Sequence, residues 1–531
     1  HKNNLDIHPE ALRLISRNLK LIDKKLKNGD DANRIFMNIL TSKNNPENTL
    51  RRMNESDVFG KFLPDFGRVV AQMQFDMYHT YTVDEHTIRA IGILSRVESG
   101  KITVDQMPYL NESVSKIHSR KALYVSVLLH DIAKGRKGDH SKLGSKVAKK
   151  ICPRLGLSEE ETDTVSWLVL NHLLMSDTAF KRDIDNIETI NKFVSVVQSV
   201  ERLRLLLILT VVDIKAVGPK TWNSWKAGLL SGLFKRTLAS ISGDLVEDNR
   251  EARVEHAKTM LKERLSDWSP TDLENFISKG YPSYWLTCDT DEHVRHANIS
   301  RLAIINRNKL VVEIRFDEEF EYTEIIVHTQ DHPGIFSQIA GAVALSGANI
   351  MDAKIITMSD GMVMDSFSVL NANNQAFIQS NQVDRLRKRI SDSLAGRVNL
   401  ERELAKVSHS NTGKKERLFY VAPRIIFDNN ASKSHTVIEV NGRDRFGFLY
   451  DVTAAINRLG LKINSAHVTT YGEHVVDTFY VKDIFGLKIE HESKLAGIRK
   501  ILLETISYRQ TGKEFKRRNS IKTNMTTKST S

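Results

Sequence analysis

The chain has 531 residues, 40% of them hydrophobic and 27% charged, enough for three or four globular domains. It has no run of about eighteen apolar residues, which argues against a helical membrane span. It has only two cysteines, Cys152 and Cys288, which excludes a disulfide framework and fits a reducing, cytoplasmic setting. The net charge is +12, but no nucleic-acid motif accompanies it, so a solvated basic surface is the simpler reading. Neither a nucleic acid nor a membrane is expected as a partner.

Residues 1–80 read as a helical linker region, with Leu12, Ile15, Leu19 and Ile22 at helical spacing. Residues 81–245 read as an all-helical domain. Within it, Ser158–Glu161 forms a capping box opening a helix through Leu174, and 186–217 is one long apolar helical pattern stopped by Gly218-Pro219. Residues 246–318 form a helical and extended connector in which Tyr281–Trp285 looks turn-like. From 311 onward the apolar period becomes two, the signature of strands. Two α+β units follow, 319–400 and 435–506, joined by a linker and first-strand approach at 401–434 that includes a polar stretch, 408–416. The chain closes on a disordered basic tail, 507–531.

The two units are an internal repeat. Asp331, Gly334, Gly347 and Ile350 return as Asp444, Gly447, Gly460 and Ile463, each 113 positions later. Asp365-Ser366-Phe367 returns as Asp477-Thr478-Phe479 after a one-residue deletion. Two tandem βαββαβ domains of ferredoxin-like type are the expectation.

The chemistry centres on His130-Asp131, at the end of an apolar helix, with Lys134 following. Helical geometry puts His130 and Lys134 on one face. Imidazole and carboxylate together suit a divalent metal, which activates water at neutral pH. His86 and Asp213 stand in helical segments that supply further ligands. Asp213 lies in a nearly continuous apolar run, where a lone carboxylate is costly. His140 and His172, with His86, are candidates for a second metal site bridged by Asp131. Taken singly, each histidine could be a core residue, Asp213 could pair with Arg202 or Lys215, and Lys134 could complement a helix dipole. Their order within one helical region favours a metal site.

His86…His130-Asp131…Asp213 resembles the HD phosphohydrolase superfamily, an all-helical metal-dependent fold. The runs His130–Gly135, Gly138–Ser141, Asn171–Met175 and Asp213–Lys226 resemble more closely the bifunctional PII-protein uridylyltransferase/uridylyl-removing enzymes, up to about residue 505. That resemblance implies Mg²⁺ or Mn²⁺ on His86, His130, Asp131 and Asp213. Lys134, His140 and His172 then assist catalysis, and the reaction is hydrolysis of uridylyl-tyrosine on the PII signalling protein with release of UMP. The family's transferase carries a Ser-Asp-x-Asp segment, which is not found here, so the chain is expected to begin after that domain. The repeats resemble ACT domains, which implies glutamine as effector at Asp331, Gly334, Asn349, Asp444 and Gly447. Phe446 and Lys462 depart from the pattern of the first repeat, so unequal affinities are expected. Two other functions remain open. One is a different HD nucleotide hydrolase, for example of alarmones, although Lys134-Gly135 replaces the Glu-Asp expected there. The other is a non-catalytic sensor of glutamine and PII.

Overall fold

The computed structural model describes residues 7–73, 80–101, 107–218, 221–242, 250–318, 321–410, 423–471 and 474–508. Pro219 of the expected helix stop, residues 411–416 of the polar linker and the basic tail from 509 onward lie outside these.

The N-terminal helices are α1 (Pro9–Arg17), α2 (Lys24–Asn28), α3 (Asp30–Leu40), α4 (Pro46–Glu55), α5 (Val58–Phe62) and α6 (Pro64–Gly67). Phe36, Phe59, Phe62 and Phe66 from this region enter the same hydrophobic core as the helices that follow. Those are α7 (Val83–Glu98), α8 (Pro108–Lys116), α9 (Arg120–Leu129), α10 (His140–Ile151), α11 (Glu159–Asn171), α12 (Leu174–Lys181), α13 (Ile187–Val197), α14 (Val200–Val217) and α15 (Ser224–Ser242). The capping box forms on Ser158 and Glu161, but its helix ends at Asn171 and a new one starts at Leu174. The long helix expected over 186–217 is two helices. Gln198 adopts a left-handed backbone, and the Ser199 side chain accepts from Arg202 N–H as a fresh N-cap.

The connector is more helical than expected: α16 (Arg250–Arg264), α17 (Pro270–Lys279), α18 (Pro282–Thr287) and α19 (Thr290–Ile305). Tyr281–Trp285 is not a turn. Pro282 occupies the first helical position of α18, where its missing N–H costs nothing, and Asp289 with Glu292 makes a capping box that opens α19.

The C-terminal half holds β1 (Leu310–Asp317), β2 (Tyr322–Gln330), α20 (Ile335–Leu345), β3 (Ala348–Lys354), β4 (Met362–Asn371), α21 (Ser380–Leu394) and α22 (Leu400–Ser410). The second copy holds β5 (Arg424–Asp428), β6 (Thr436–Arg443), α23 (Phe448–Arg458), β7 (Lys462–Tyr471), β8 (His474–Lys482) and α24 (Glu492–Tyr508). The expected fold class, a helical domain followed by α+β repeats, is present, with one difference in strand order. Each copy runs ββαββα rather than βαββαβ. The edge strands β1 and β5 come first, and each pairs antiparallel with the strand that follows it in sequence. The connector thus contributes β1, and the linker contributes β5.

All strands form one eight-stranded sheet, β1-β2-β4-β3-β7-β8-β6-β5. The copies meet at β3 and β7, with Asp352 opposite His467 and Lys354 opposite Ser465. Helices α20, α21, α23 and α24 cover one face with an apolar core. On the other face α19 packs on β1, and α12 packs on β7 and β8. Cover on both faces explains why β2 is buried at six consecutive positions, Thr323–His328, instead of alternating. No helix among the described residues is long and apolar enough to cross a membrane.

Candidate metal centre

His130 and His172 each sit one residue past a helix, capping α9 and α11. The last carbonyls of a helix have no intrahelical partner. Each imidazole meets one of them: His130 Nδ1 donates to Val127 O and His172 Nδ1 donates to Val169 O, both at 2.8 Å. Using Nδ1 as the donor leaves Nε2 as the lone-pair nitrogen of each ring, facing inward. His86 projects from the first turn of α7, Asp213 from α14, and His140 opens α10 behind the Asp139 N-cap.

These side chains converge. His86 Nε2 stands 3.0 Å from Asp213 Oδ1 and 3.2 Å from His130 Nε2, and His130 Nε2 lies 3.6 Å from Asp213 Oδ1. Asp131 extends the group. Its Oδ2 is 3.6 Å from His130 Nε2, and its Oδ1 is 3.9 Å from both His140 Nε2 and His172 Nε2. Two sets of convergent donors result, His86/His130/Asp213 and Asp131/His140/His172. His86 therefore lies with His130 and Asp213, as in the ligand set that the family resemblance implied, and not with His140 and His172 as in the second-metal alternative. Asp131 touches members of both. His140 and Asp213 are the exposed members, at 30% and 19% of their side-chain surface, so the centre opens to solvent on their side.

Lys134 is not a helical neighbour of His130. α9 ends at Leu129 and the chain turns through 130–135, so Lys134 Nζ reaches Asp131 Oδ2 at 3.0 Å instead. Asp213 pairs with histidines rather than with Arg202 or Lys215, whose cations lie over Trp167 and Trp222. Sequence reasoning missed Gly144 of α10. A Cβ there would meet Val169 Cγ1 at 2.9 Å, so glycine lets α10 approach α11 closely enough to bring His140 beside His172.

The electrostatics fit a cation. Burial works against charge at His130, but Asp131 and Asp213 outweigh it and raise its pKa to about 9. Burial also opposes charge on Asp131 and Asp213, yet the histidines, joined at Asp131 by Lys134, hold both carboxyls below the usual range. His172 is pushed down to about 4 by burial and by His130. Burial likewise lowers His140, against Asp131. The residues pass a further geometric test for a metal. Two ligands each about 2.1 Å from one ion stand roughly 3.0–3.4 Å apart, close to the separations in the first set. With His130 Nδ1 committed to a carbonyl, its Nε2 faces His86 Nε2 at 3.2 Å and Asp213 Oδ1 at 3.6 Å, so a proton on the ring or a divalent cation in its place satisfies the same group of atoms. Nitrogen and carboxylate donors without thiolate suit a divalent ion.

The expected effector residues separate into two groups. Asn349, Asp444 and Gly447 line one cavity of about 250 Å³, and Asp331 and Gly334 are not part of it. Asn349 thus faces the turn of the other repeat rather than its own, because the β3–β7 seam brings the start of one copy's strand to the other copy's helix. Gly334 and Gly447 both have positive φ, 93° and 73°, and both N-cap helices without a side-chain hydrogen bond.

The chain is similar to known proteins over most of its length. Three family models match: the uridylyltransferase GlnD third domain over residues 1–62, the HD domain over 83–213, and the ACR family N-terminal ACT domain over 431–509. Among curated proteins, the bifunctional uridylyltransferase/uridylyl-removing enzyme of Azospirillum brasilense is 51% identical over 95% of this chain and 54% of its own length. The enzyme of that name from Rhodospirillum rubrum is 52% identical over 96% of this chain and 54% of its own. The one from Gluconobacter oxydans is 46% identical over 95% and 54%. The chain spans about half the length of these relatives, and over that span it belongs to the family of bifunctional uridylyltransferase/uridylyl-removing enzymes.

Proposed function

We propose that the chain hydrolyses the phosphodiester joining UMP to a tyrosine of the PII protein, at the His86/His130/Asp131/Asp213 centre with Mg²⁺ or Mn²⁺, under control of glutamine bound to the ACT repeats. The observation that carries the reading is the position of Asp131, whose two oxygens face the two donor sets from the middle of the centre. Divalent ions held there would supply an activated water and neutralise phosphoryl oxygens. His86, His130 and Asp213 hold one side of the centre, and Asp131, His140 and His172 the other. Lys134 neutralises Asp131 and offers its ammonium as a point charge toward a phosphate. His140, the more exposed histidine, serves as a ligand of the second ion or, when not bound to it, as proton donor to the leaving tyrosinate.

The names of the relatives speak of uridylyl removal, which favours a uridylyl ester over a free guanosine nucleotide. The test is incubation of uridylylated PII with the chain, Mn²⁺ and glutamine. Wild type should release UMP and His130→Ala should not. Equal release by both, or none by either, refutes the reading. Turnover of free guanosine tetraphosphate in its place would favour the nucleotide hydrolase, and glutamine binding without any turnover would favour the sensor.

A further inference from the structure

The cavity between the repeats holds a group that the reading above does not use. Asp477 of β8 lines it, is 1% exposed, and neither of its carboxyl oxygens has a hydrogen-bond partner among the described residues. Its neighbours on the same face, Val475 and Phe479, belong to the apolar core beneath α23, so water does not take the partner's place cheaply. The equivalent residue of the first copy, Asp365, is buried to the same degree but accepts from Ile356 N–H at 3.1 Å. One aspartate of the repeat is satisfied from within the protein, and the other opens onto a cavity.

Two features of that cavity select the chemistry of its ligand. Asp477 lies close enough to Asp444 for their carboxyls to repel. That repulsion, after burial, pushes Asp477 well above the usual carboxylate range, and a cation relieves it. The start of α23 also lines the cavity: Gly447 caps the helix without a side-chain hydrogen bond, and Phe448, Leu449 and Tyr450 follow. A helix N-terminus favours an anion. A ligand carrying an ammonium and a carboxylate on one carbon meets both demands, which an isolated cation or anion does not. The volume of about 250 Å³ is that of a small metabolite and lies below the roughly 300–1,000 Å³ of drug-sized pockets. Asn349, from the first copy, adds an amide at the rim that offers both donors and an acceptor.

We propose that Asp477 is the receptor for the ammonium group of an α-amino acid held in this cavity, with its carboxylate at the N-terminus of α23, and that Asp365 has no such role. The proposal deepens the effector reading above, on which it rests for the choice of glutamine as probe. It makes Asp477 the specificity-determining residue of one repeat and leaves the first repeat's turn without a counterpart. A charge-assisted hydrogen bond lost from a closed site should weaken binding by about tenfold or more.

Calorimetry on the full chain tests this with L-glutamine and with 4-carbamoylbutyrate, which is glutamine without its amino group. Wild type should bind glutamine at least about tenfold more tightly than the deaminated analogue. Asp477→Asn should lose that margin for glutamine while binding the analogue as wild type does, and Asp365→Asn should leave both affinities unchanged. The wild-type comparison stands even where a variant folds poorly. Equal wild-type affinity for both ligands, full glutamine affinity in Asp477→Asn, or binding of no amino acid at all overturns the proposal. If glutamine is inert but another amino acid binds with the same dependence on Asp477, the choice of glutamine falls and the role of Asp477 stands. Hydrolysis is not read in this experiment, so its failure and that of the hydrolase reading are separate.

Discussion

Replacing Lys354 with methionine should loosen the joint between the helical domain and the two repeats. Lys354 Nζ, on β3, lies 2.9 Å from Glu292 Oε1 of α19 and 3.1 Å from Asp185 Oδ2 of the α12–α13 loop. Asp185 also pairs with Arg236. Removing one partner of a buried ion pair costs about 3–5 kcal/mol, whereas an exposed pair is worth about 0–1 kcal/mol. Here the side-chain exposures are 21% for Lys354, 21% for Asp185 and 11% for Glu292, and Arg236 still serves Asp185. The loss should fall between those limits, at about 2–3 kcal/mol. Several units fold together, so a single unfolding midpoint is a poor measure. Native-state hydrogen exchange at the seam is better, read at Ile355 N–H, which donates to Asn464 O at 2.8 Å. Its exchange should quicken about 30–150-fold, since each 1.36 kcal/mol is a factor of ten. Burial already raises the pKa of Glu292 despite Lys354. Without the lysine it rises further, so the loss should shrink as pH falls and the carboxyl protonates. Lys354→Met with Glu292→Gln should recover part of the loss, because glutamine keeps the capping bond to Asp289 N–H. A change below about threefold in Lys354→Met would show that the cluster is effectively solvated and that the argument fails.

His140→Ala and His172→Gln should each lower bound Mn²⁺ from two equivalents to one by elemental analysis, while Asp131→Asn should lose both and cut UMP release by more than the roughly 10–100-fold typical of an outer-shell partner. Gly447→Ala, at φ 73°, should destabilise by about 1–2 kcal/mol in urea unfolding. Gly497→Ala should stabilise by roughly 0.5–1 kcal/mol, since it is an exposed interior position of α24 with nothing near the added methyl. The His467–Asp352 pair, 2.6 Å across the seam, gives a pH signature. Burial opposes charge on His467, but Asp352 prevails and its pKa is raised, so its contribution is complete below about 6.5 and is lost as pH rises through the higher folded value. The free energy of seam opening, from exchange corrected for the intrinsic pH dependence of amides, should therefore fall above neutral pH in wild type and stay flat in His467→Gln.

The members of the candidate centre were legible because each is marked locally. Histidines just past an apolar helix, an aspartate inside one and a histidine behind an Asp N-cap are readable from residue order. How they divide was not legible from local pattern. That His86 sides with Asp213 and not with His172 depends on the spacing of α7, α11 and α14, and only the family resemblance pointed to it. Lys134 was misplaced because α9 ends exactly where the polar residues begin, and periodicity does not say where a helix stops. The repeat was visible through its turn glycines, but the edge strands were assigned outside it because β1 and β5 precede the motif that repeats. Tyr281–Trp285 looked like a turn because aromatic and proline residues fit a turn as well as the first turn of a helix. Asn349 was grouped with its own repeat because nothing in one copy's sequence states that its β3 pairs with the other copy's β7.

The cavity and α12 lie on opposite faces of one strand, β7. Successive residues of a strand point to opposite sides. In β7, Val468 and Thr470 line the cavity, and Thr469 between them donates to Phe180 O of α12 at 2.9 Å. α12 begins at Leu174, two residues after His172, and its far end is held again by Asp183 N–H donating to Tyr480 Oη at 3.2 Å and by Arg182 on Asp428 at 3.0 Å. A shift of β7 that reseats Val468 and Thr470 must carry Thr469 with it, because the strand has no joint between them. Thr469 is bonded to a short helix whose other end leads directly into a histidine of the centre. An ordinary solvated loop between sheet and helix would absorb such a shift. Here the carbonyl of Phe180 is a buried partner of the strand, and the displacement has to be accommodated along α12 or at the cost of that hydrogen bond, about 1 kcal/mol.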